Sequence, residues 1–136
     1  MNLALRIGWW LLGVFYLLAG LNHFRDPGFY LPMMPPSLPA PRVLVELSGA
    51  AEFGIGLAAL LFGLHVPRLR RWIAWAAIAL LVAVFPANLY IALENVPLGG
   101  RSEGLGAMNY VRLPFQALFI AWAWIYTRPL GAERRA

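Results

Sequence analysis

The stretch from Pro41 to Leu64, PRVLVELSGAAEFGIGLAALLFGL, constrains the fold of this chain more than any other. It is long enough to cross a bilayer as a helix, for which about 20 apolar residues suffice. One face of that helix carries small residues, which let the backbones of neighbouring membrane helices approach closely. Glu52 lies among them, and an ionisable side chain inside a membrane helix marks a candidate functional site. The face comprises Ser48, Gly49, Glu52, Gly56, Ala59 and Gly63.

The composition places the whole chain in a membrane. Of its 136 residues, 61% are hydrophobic and 12% are charged, whereas soluble domains have about 45–50% and about 25%. We therefore predict a single all-α integral membrane domain over residues 1–136, with the lipid bilayer as its main partner. Eleven scattered arginines give a net charge of +5 without a basic stripe, which argues against nucleic-acid binding. The absence of cysteine excludes thiol redox chemistry.

Four apolar segments predict a four-transmembrane-helix bundle. The first segment follows Arg6 as a signal peptide could, but its long apolar run and the lack of a cleavage motif favour a retained helix. The fourth segment is barely long enough to span the membrane. The predicted helices cover Leu3–Asn22, Pro41–Leu64, Trp72–Glu94 and Tyr110–Thr127.

Prolines and glycines mark the connections. Asp26 and Pro27 predict the start of a short interfacial helix. Between helices 1 and 2, five prolines exclude a regular helix, and we expect a proline-rich interfacial segment over the end of the bundle, acting as a lid or as a rigid connector. HVPRLRR predicts a tight basic turn before helix 3. The Gly-rich residues 94–109 predict a mobile loop before helix 4.

Helix 3 carries a proline and a row of alanines. Pro86 removes one backbone hydrogen bond, which predicts a kink. The alanine row predicts a second close-packing face. This face comprises Ala76, Ala79, Ala83, Ala87 and Tyr90.

The arginines also predict the orientation. With four crossings, seven arginines fall on the side of both termini, two of them being Arg134 and Arg135, and four fall on the other side. Because cytoplasmic loops carry the excess of basic residues, we expect both termini in the cytoplasm. The tail from Arg128 to Ala136 is polar and is expected to fray.

Polar residues of the four helices are sorted toward the opposite, non-cytoplasmic end. A buried carboxylate at Glu52 needs a partner or a proton, and Arg112 and His23 are the candidates. A structural ion pair, a ligand or proton site, and a neutral hydrogen-bonded glutamate all fit the sequence. We predict an outward-facing polar pocket whose ligand-binding residues are Glu52, Asn88, Arg112, Gln116, His23 and Ser48.

Other polar residues have simpler interpretations. Glu46 follows Arg42 by four residues, which predicts a local surface pair. His65 is expected in a solvated turn, and with His23 at the other end of the bundle a histidine metal site is not expected. Asn88 could stabilise the proline kink instead of a ligand, and Gln116 could serve only to orient Arg112. No catalytic motif or nucleotide-binding motif is present, so no enzyme class is predicted.

Several segments resemble the DoxX-like membrane proteins. These are GLNHF, PPSLPAP, VELSGAAEFGIGLAALL, VFPANLYIAL and RLPFQALFIAWAW. The resemblance implies a four-helix bundle in the bacterial inner membrane. Founding members are associated with a thiosulfate–quinone oxidoreductase, so it also implies a link to quinones. It implies no role for any individual residue.

Three functions are compatible with these features. The first is a binding or assembly protein whose pocket holds a lipid, a quinone-like ligand or a segment of a partner membrane protein, with a homo-oligomer as a further form of assembly. The second is a quinone-linked oxidoreductase subunit in which His23 or Glu52 moves protons. The third, a transporter, is the weakest, because the cytoplasmic half of the bundle is almost uniformly apolar.

Overall fold

The computed structural model describes residues 1–130, and all regular secondary structure in that range is helical. Short 3₁₀ turns at Leu31–Met33 and Gly106–Val111 precede α3 and α5 respectively. Arg134 and Arg135, which the orientation argument counted, lie outside the described residues. The α-helices are α1 (Leu3–Arg25), α2 (Pro27–Tyr30), α3 (Pro41–Phe62), α4 (Pro67–Leu93) and α5 (Arg112–Ile125).

Three of these helices are long and apolar enough to cross a membrane. They are α1 with 23 residues, α3 with 22 and α4 with 27. The predicted fourth helix is shorter than expected, because residues 110 and 111 belong to the preceding 3₁₀ turn and α5 has only 14 residues. At helical rise, α5 is about 21 Å long, which is less than the hydrocarbon thickness of about 30 Å. The structure therefore shows three candidate spans and one shorter helix, and not four equal spans.

The antiparallel helices give the bundle two distinct ends. At one end of the bundle α1 and α4 finish and α3 and α5 begin; we call it the site end. We call the opposite end the terminus end.

At the terminus end the predicted basic turn is shorter than expected. Pro67 occupies the first turn of α4, where its missing N–H costs nothing, so the helix begins five residues before Trp72. Arg70 is consequently a buried helical residue.

Glycines bring α1 and α3 into backbone contact, and these two helices form the most extensive pairing in the fold. A Cβ atom built on Gly56 would lie 2.3 Å from the backbone nitrogen of Leu17. One built on Gly20 of α1 would lie 2.3 Å from the nitrogen of Phe53. Such distances exclude a side chain, so the predicted small face of α3 is confirmed as a packing face.

The predicted alanine face of α4 is wrong. Ala76, Ala79 and Ala83 are exposed, and only Ala87 of that row is buried. The buried face of α4 is instead formed by Ile73, Ala74, Ala77, Ile78, Ile91 and Ala92. Lipid is as apolar as alanine, so a row of alanines does not show which side of a membrane helix contacts protein.

The core at the terminus end ties α5 to α1. The indole Nε1 of Trp9 donates to the Ala59 carbonyl at 2.9 Å, and the Trp9 and Tyr126 rings meet edge to face with centroids 5.0 Å apart. The Tyr126 hydroxyl donates to the Leu5 carbonyl at 3.0 Å. Leu130 is buried in the same cluster, so the tail packs against the bundle as far as the structure describes it; fraying of the tail stays a prediction.

Two connections cover the site end. The predicted short helix after Asp26 is confirmed as α2, whose N-cap Asp26 accepts a hydrogen bond from the Phe29 N–H; its position at a membrane interface stays a prediction. The Gly-rich loop is anchored by Asn109, which is fully buried and donates to the Asn95 side chain and the Val96 carbonyl. Val96 and Leu98 of that loop share an apolar cluster with residues of α2 and of the adjacent 3₁₀ turn. The two connections therefore form one continuous cover.

Candidate functional site

A cavity of about 330 Å³ lies beneath this cover at the site end. It is bounded by all four long or intermediate helices together with α2 and the 3₁₀ turn that follows it. The six side chains that the sequence predicts as ligand-binding all line it; that they bind a ligand stays a prediction. They are His23, Ser48, Glu52, Asn88, Arg112 and Gln116.

The rest of the cavity wall is apolar and largely aromatic. Phe15 and Phe119 stack with ring centroids 4.4 Å apart, and Phe29 and Phe115 contribute further rings. Met33 and Met34 line the cavity from the proline-rich segment. An apolar chamber with a few converging polar groups is the usual form of a small-molecule site.

Glu52 pairs with His23 across the close α1–α3 contact. Its Oε2 lies 3.3 Å from Nε2 of His23, within ion-pair distance although the two groups are not aligned for a hydrogen bond. Of the two partners that the sequence allowed, the structure therefore selects His23. Gly49 makes the approach possible, because a Cβ there would lie 2.4 Å from the Cβ of His23.

The surrounding hydrogen bonds fix the tautomer of His23. Its Nδ1 lies 2.9 Å from the Val45 carbonyl, which can only accept, so Nδ1 carries a hydrogen. Ser48 donates to the same carbonyl, which leaves its oxygen to face Nδ1 at 3.3 Å. A neutral His23 would then turn a lone pair toward the Glu52 carboxylate. A proton on either Nε2 or Oε2 removes the repulsion between this lone pair and the carboxylate, and with that proton the pair has no net charge.

Tyr30 is a site residue that the sequence analysis missed. Its ring stacks on the His23 imidazole with centroids 3.6 Å apart, and its hydroxyl accepts a hydrogen bond from the Asn22 amide at 3.1 Å. Burial raises the pKa of the Tyr30 phenol above its usual range, so the hydroxyl stays protonated at neutral pH. The cap at Asp26 was the available signal, since a helix beginning there folds Tyr30 back toward the end of α1.

Asn88 and Gln116 join α4 to α5. The Asn88 amide donates to the Gln116 side-chain oxygen at 2.9 Å, and the Gln116 amide donates to the Leu81 carbonyl. Pro86 leaves the carbonyl of Val82 without its helical donor, and Val82 is the residue after Leu81. Gln116 therefore bonds the backbone beside the proline-containing turn, where a stabilising role was predicted for Asn88. Within the described chain Gln116 makes no hydrogen bond to Arg112.

Arg112 begins α5 and reaches the cavity, and no hydrogen bond or ion pair joins its side chain to another of residues 1–130. Its Nε is buried, and among residues 1–130 it forms no hydrogen bond. No carboxylate in that range lies within 4.0 Å of the Arg112 guanidinium. This includes the Glu52 carboxylate, although Glu52 and Arg112 line the same cavity. The predicted Glu52–Arg112 pair is thus not formed.

The remaining polar predictions fall outside the cavity. Glu46 accepts from Arg42 at 3.1 Å in an exposed pair, which confirms that prediction. His65 lies exposed between α3 and α4, and Glu94 caps the exposed end of α4. In the part of the chain that the structure describes, no three His, Asp or Glu side chains come together as a metal site.

The chain belongs to the family described as Domain of unknown function (DUF8561), which matches residues 12–127. The predicted membership of the DoxX-like family is wrong, because this is the family that matches. The motifs behind that resemblance consist largely of small and apolar residues, which helix packing in membranes favours in unrelated proteins. No curated protein and no solved structure matches the chain.

Proposed function

We propose that the protein is an integral membrane binding protein whose cavity at the site end holds a small amphiphilic molecule. The observation that carries this proposal is the convergence of polar side chains from α1, α3, α4 and α5 on one chamber with aromatic walls. A lipid or a quinone-like molecule has the required combination of a polar end and an apolar body. A partner helix about 10 Å across would not enter a chamber of about 330 Å³.

The experiment is native mass spectrometry of the protein released from nanodiscs, comparing the wild type with Ala87→Leu. Ala87 is buried and lines the cavity, so a larger side chain there removes ligand volume without removing a polar group. We expect a retained small molecule on the wild type and its loss from the variant. Equal retention by both proteins, or a bare wild-type protein, would contradict the proposal.

The proposal includes four membrane crossings, with α5 and the preceding 3₁₀ turn as the fourth. It places the protein in the inner membrane with the terminus end on the cytoplasmic side, which the arginine distribution supports. Because the chain has no cysteine, single-cysteine variants can report sidedness. Cysteines at His65 and Thr127 should be labelled from the cytoplasm and one at Ser102 from the opposite side. Labelling of Thr127 and Ser102 from the same side would exclude the fourth crossing.

A second candidate function is a subunit that positions a quinone for a partner oxidoreductase. The single-proton pair of His23 and Glu52 favours it, because quinone chemistry exchanges protons. Solvent extraction of the purified protein should then yield a stoichiometric quinone from the wild type and much less from His23→Leu. A quinone content equal to that of protein-free membrane lipid would dismiss this function.

A further inference from the structure

The charges around the cavity do not balance. With one proton on either Nε2 or Oε2, the pair of His23 and Glu52 is neutral as a unit, so Glu52 does not compensate a second cation. Arg112 is the other charged residue of the cavity lining, and it remains protonated because guanidinium groups in proteins do not lose their proton. The cavity therefore has a net charge of about +1.

A lone cation in an apolar site is costly unless an anion or hydrogen-bond acceptors meet it. The protein does not meet this demand at the Nε of Arg112, which is buried without a hydrogen bond within residues 1–130. The neighbouring Gln116 oxygen already accepts from Asn88, and Glu52 faces His23 instead of Arg112. The missing acceptor is therefore most simply supplied by a ligand.

We infer that the ligand of this cavity is a single-chain carboxylate amphiphile of the fatty-acid type, whose carboxylate binds Arg112 and whose chain lies against the aromatic wall. This rests on the proposed binding function and specifies its ligand. A guanidinium presents parallel N–H groups that fit the two oxygens of a carboxylate, and the unpartnered Nε is one member of such a fork. One cation matches a monoanion, and about 330 Å³ accommodates one chain better than a two-chain phospholipid.

The surroundings of the cavity are consistent with a chain that comes from the bilayer. An apolar groove of about 340 Å³ between α3 and α4 adjoins the cavity and shares Met34, Ser48, Val84 and Ala87 with it. A second groove of about 420 Å³ along α1 shares Phe15, Ala19 and Tyr30. An acyl chain longer than the cavity can extend through either groove into lipid.

The test measures binding of three probes with the same chain length to the protein in phosphatidylcholine nanodiscs. The probes are dodecanoate, dodecanol and dodecyl phosphate, and protein-free nanodiscs correct for partitioning into lipid. We expect the wild type to bind one dodecanoate at least about tenfold more tightly than dodecanol, as a charge-assisted contact in an apolar site provides. Dodecyl phosphate should bind more weakly than dodecanoate, because a single guanidinium does not balance a dianion.

Variants locate the effect. Arg112→Gln should weaken dodecanoate binding far more than dodecanol binding and so remove the preference for dodecanoate. Arg112→Lys should keep part of the preference because it keeps the charge but not the fork. Arg42→Gln is the matched control, since Arg42 lies at the same end of the bundle in an exposed pair with Glu46. Thermal unfolding of each variant verifies that it is folded before binding is compared.

The outcomes separate the ligand class from the binding function. Equal affinity for dodecanoate and dodecanol, with both lost in Ala87→Leu, overturns the carboxylate and keeps the cavity as a binding site. Tighter binding of dodecyl phosphate also overturns the carboxylate. If no probe binds above the nanodisc background, or if Ala87→Leu binds all three as the wild type does, both the ligand class and the proposed function fail.

Discussion

The close contact of α1 and α3 predicts that Gly56→Ala destabilises the protein. A Cβ atom at Gly56 would lie 2.3 Å from the Leu17 nitrogen and 2.8 Å from the Gly13 carbonyl oxygen, more than 0.5 Å short of ordinary contact in each case. Both are backbone atoms that no rotamer change can move. Overpacking of this kind costs about 1–3 kcal/mol, against a gain of up to about 1 kcal/mol for alanine over glycine in a helix. With the full propensity gain, we expect a net loss of up to about 2 kcal/mol.

Gly54→Ala provides a matched control on the same helix. A Cβ atom at Gly54 would have nothing within 4 Å, so only the helix-propensity gain applies and stability should be unchanged or slightly higher. The free energy of unfolding can be measured by SDS titration of the protein in mixed micelles, followed by circular dichroism. Gly20→Ala should behave like Gly56→Ala, because it meets the Phe53 backbone from the other side. If Gly56→Ala and Gly54→Ala are equally stable, the backbones of α1 and α3 are not in contact.

Three further substitutions test contacts of the site and the core in the same unfolding assay. Gln116→Leu should lower the free energy of unfolding by about 1–3 kcal/mol, because it leaves polar groups on α4 unpaired. Adding Asn88→Ala to this variant should lower it little further. If the two losses of stability add fully, the two side chains do not belong to one network. His23→Leu should destabilise by about 1–3 kcal/mol by leaving Glu52 without its partner. Glu52→Gln in the His23→Leu background should recover part of this loss, and no recovery would mean that the two side chains do not interact. Trp9→Phe should cost about 1 kcal/mol through its buried indole hydrogen bond, and an unchanged stability would show that water or another group replaces it.

The sequence predicted the path of the chain better than its packing. Proline, glycine and N-cap signals placed α1, α2 and α3 within a few residues of their ends, because local backbone chemistry decides where helices begin and stop. The small face around Gly49 and Gly56 was readable because several small residues recur on that one side of the helix. The row from Ala76 to Ala83 was misread because alanine fits against lipid as well as against protein.

The location of the site was also predictable, but not its internal pairing. Antiparallel helices bring polar residues near their alternate ends together, so the six predicted residues could be assigned to one end from hydropathy alone. Whether Glu52 meets His23 or Arg112 depends on helix rotation and on the close approach at Gly49. The amino-acid sequence alone shows neither the rotation of the helices nor the distance between them. Tyr30 was missed because its position depends on how α2 folds back against α1.

The bond from the Tyr126 hydroxyl to the Leu5 carbonyl joins residues 121 positions apart. During synthesis α1 leaves the ribosome before α5 has been made. The contacts between α1 and α5 therefore form only after the rest of the bundle has been synthesised. A helix of 14 residues is a poor substrate for independent membrane insertion. If α5 crosses the membrane as proposed, its integration should depend on helices that are already present, with Trp9 and its neighbours providing the surface against which α5 packs.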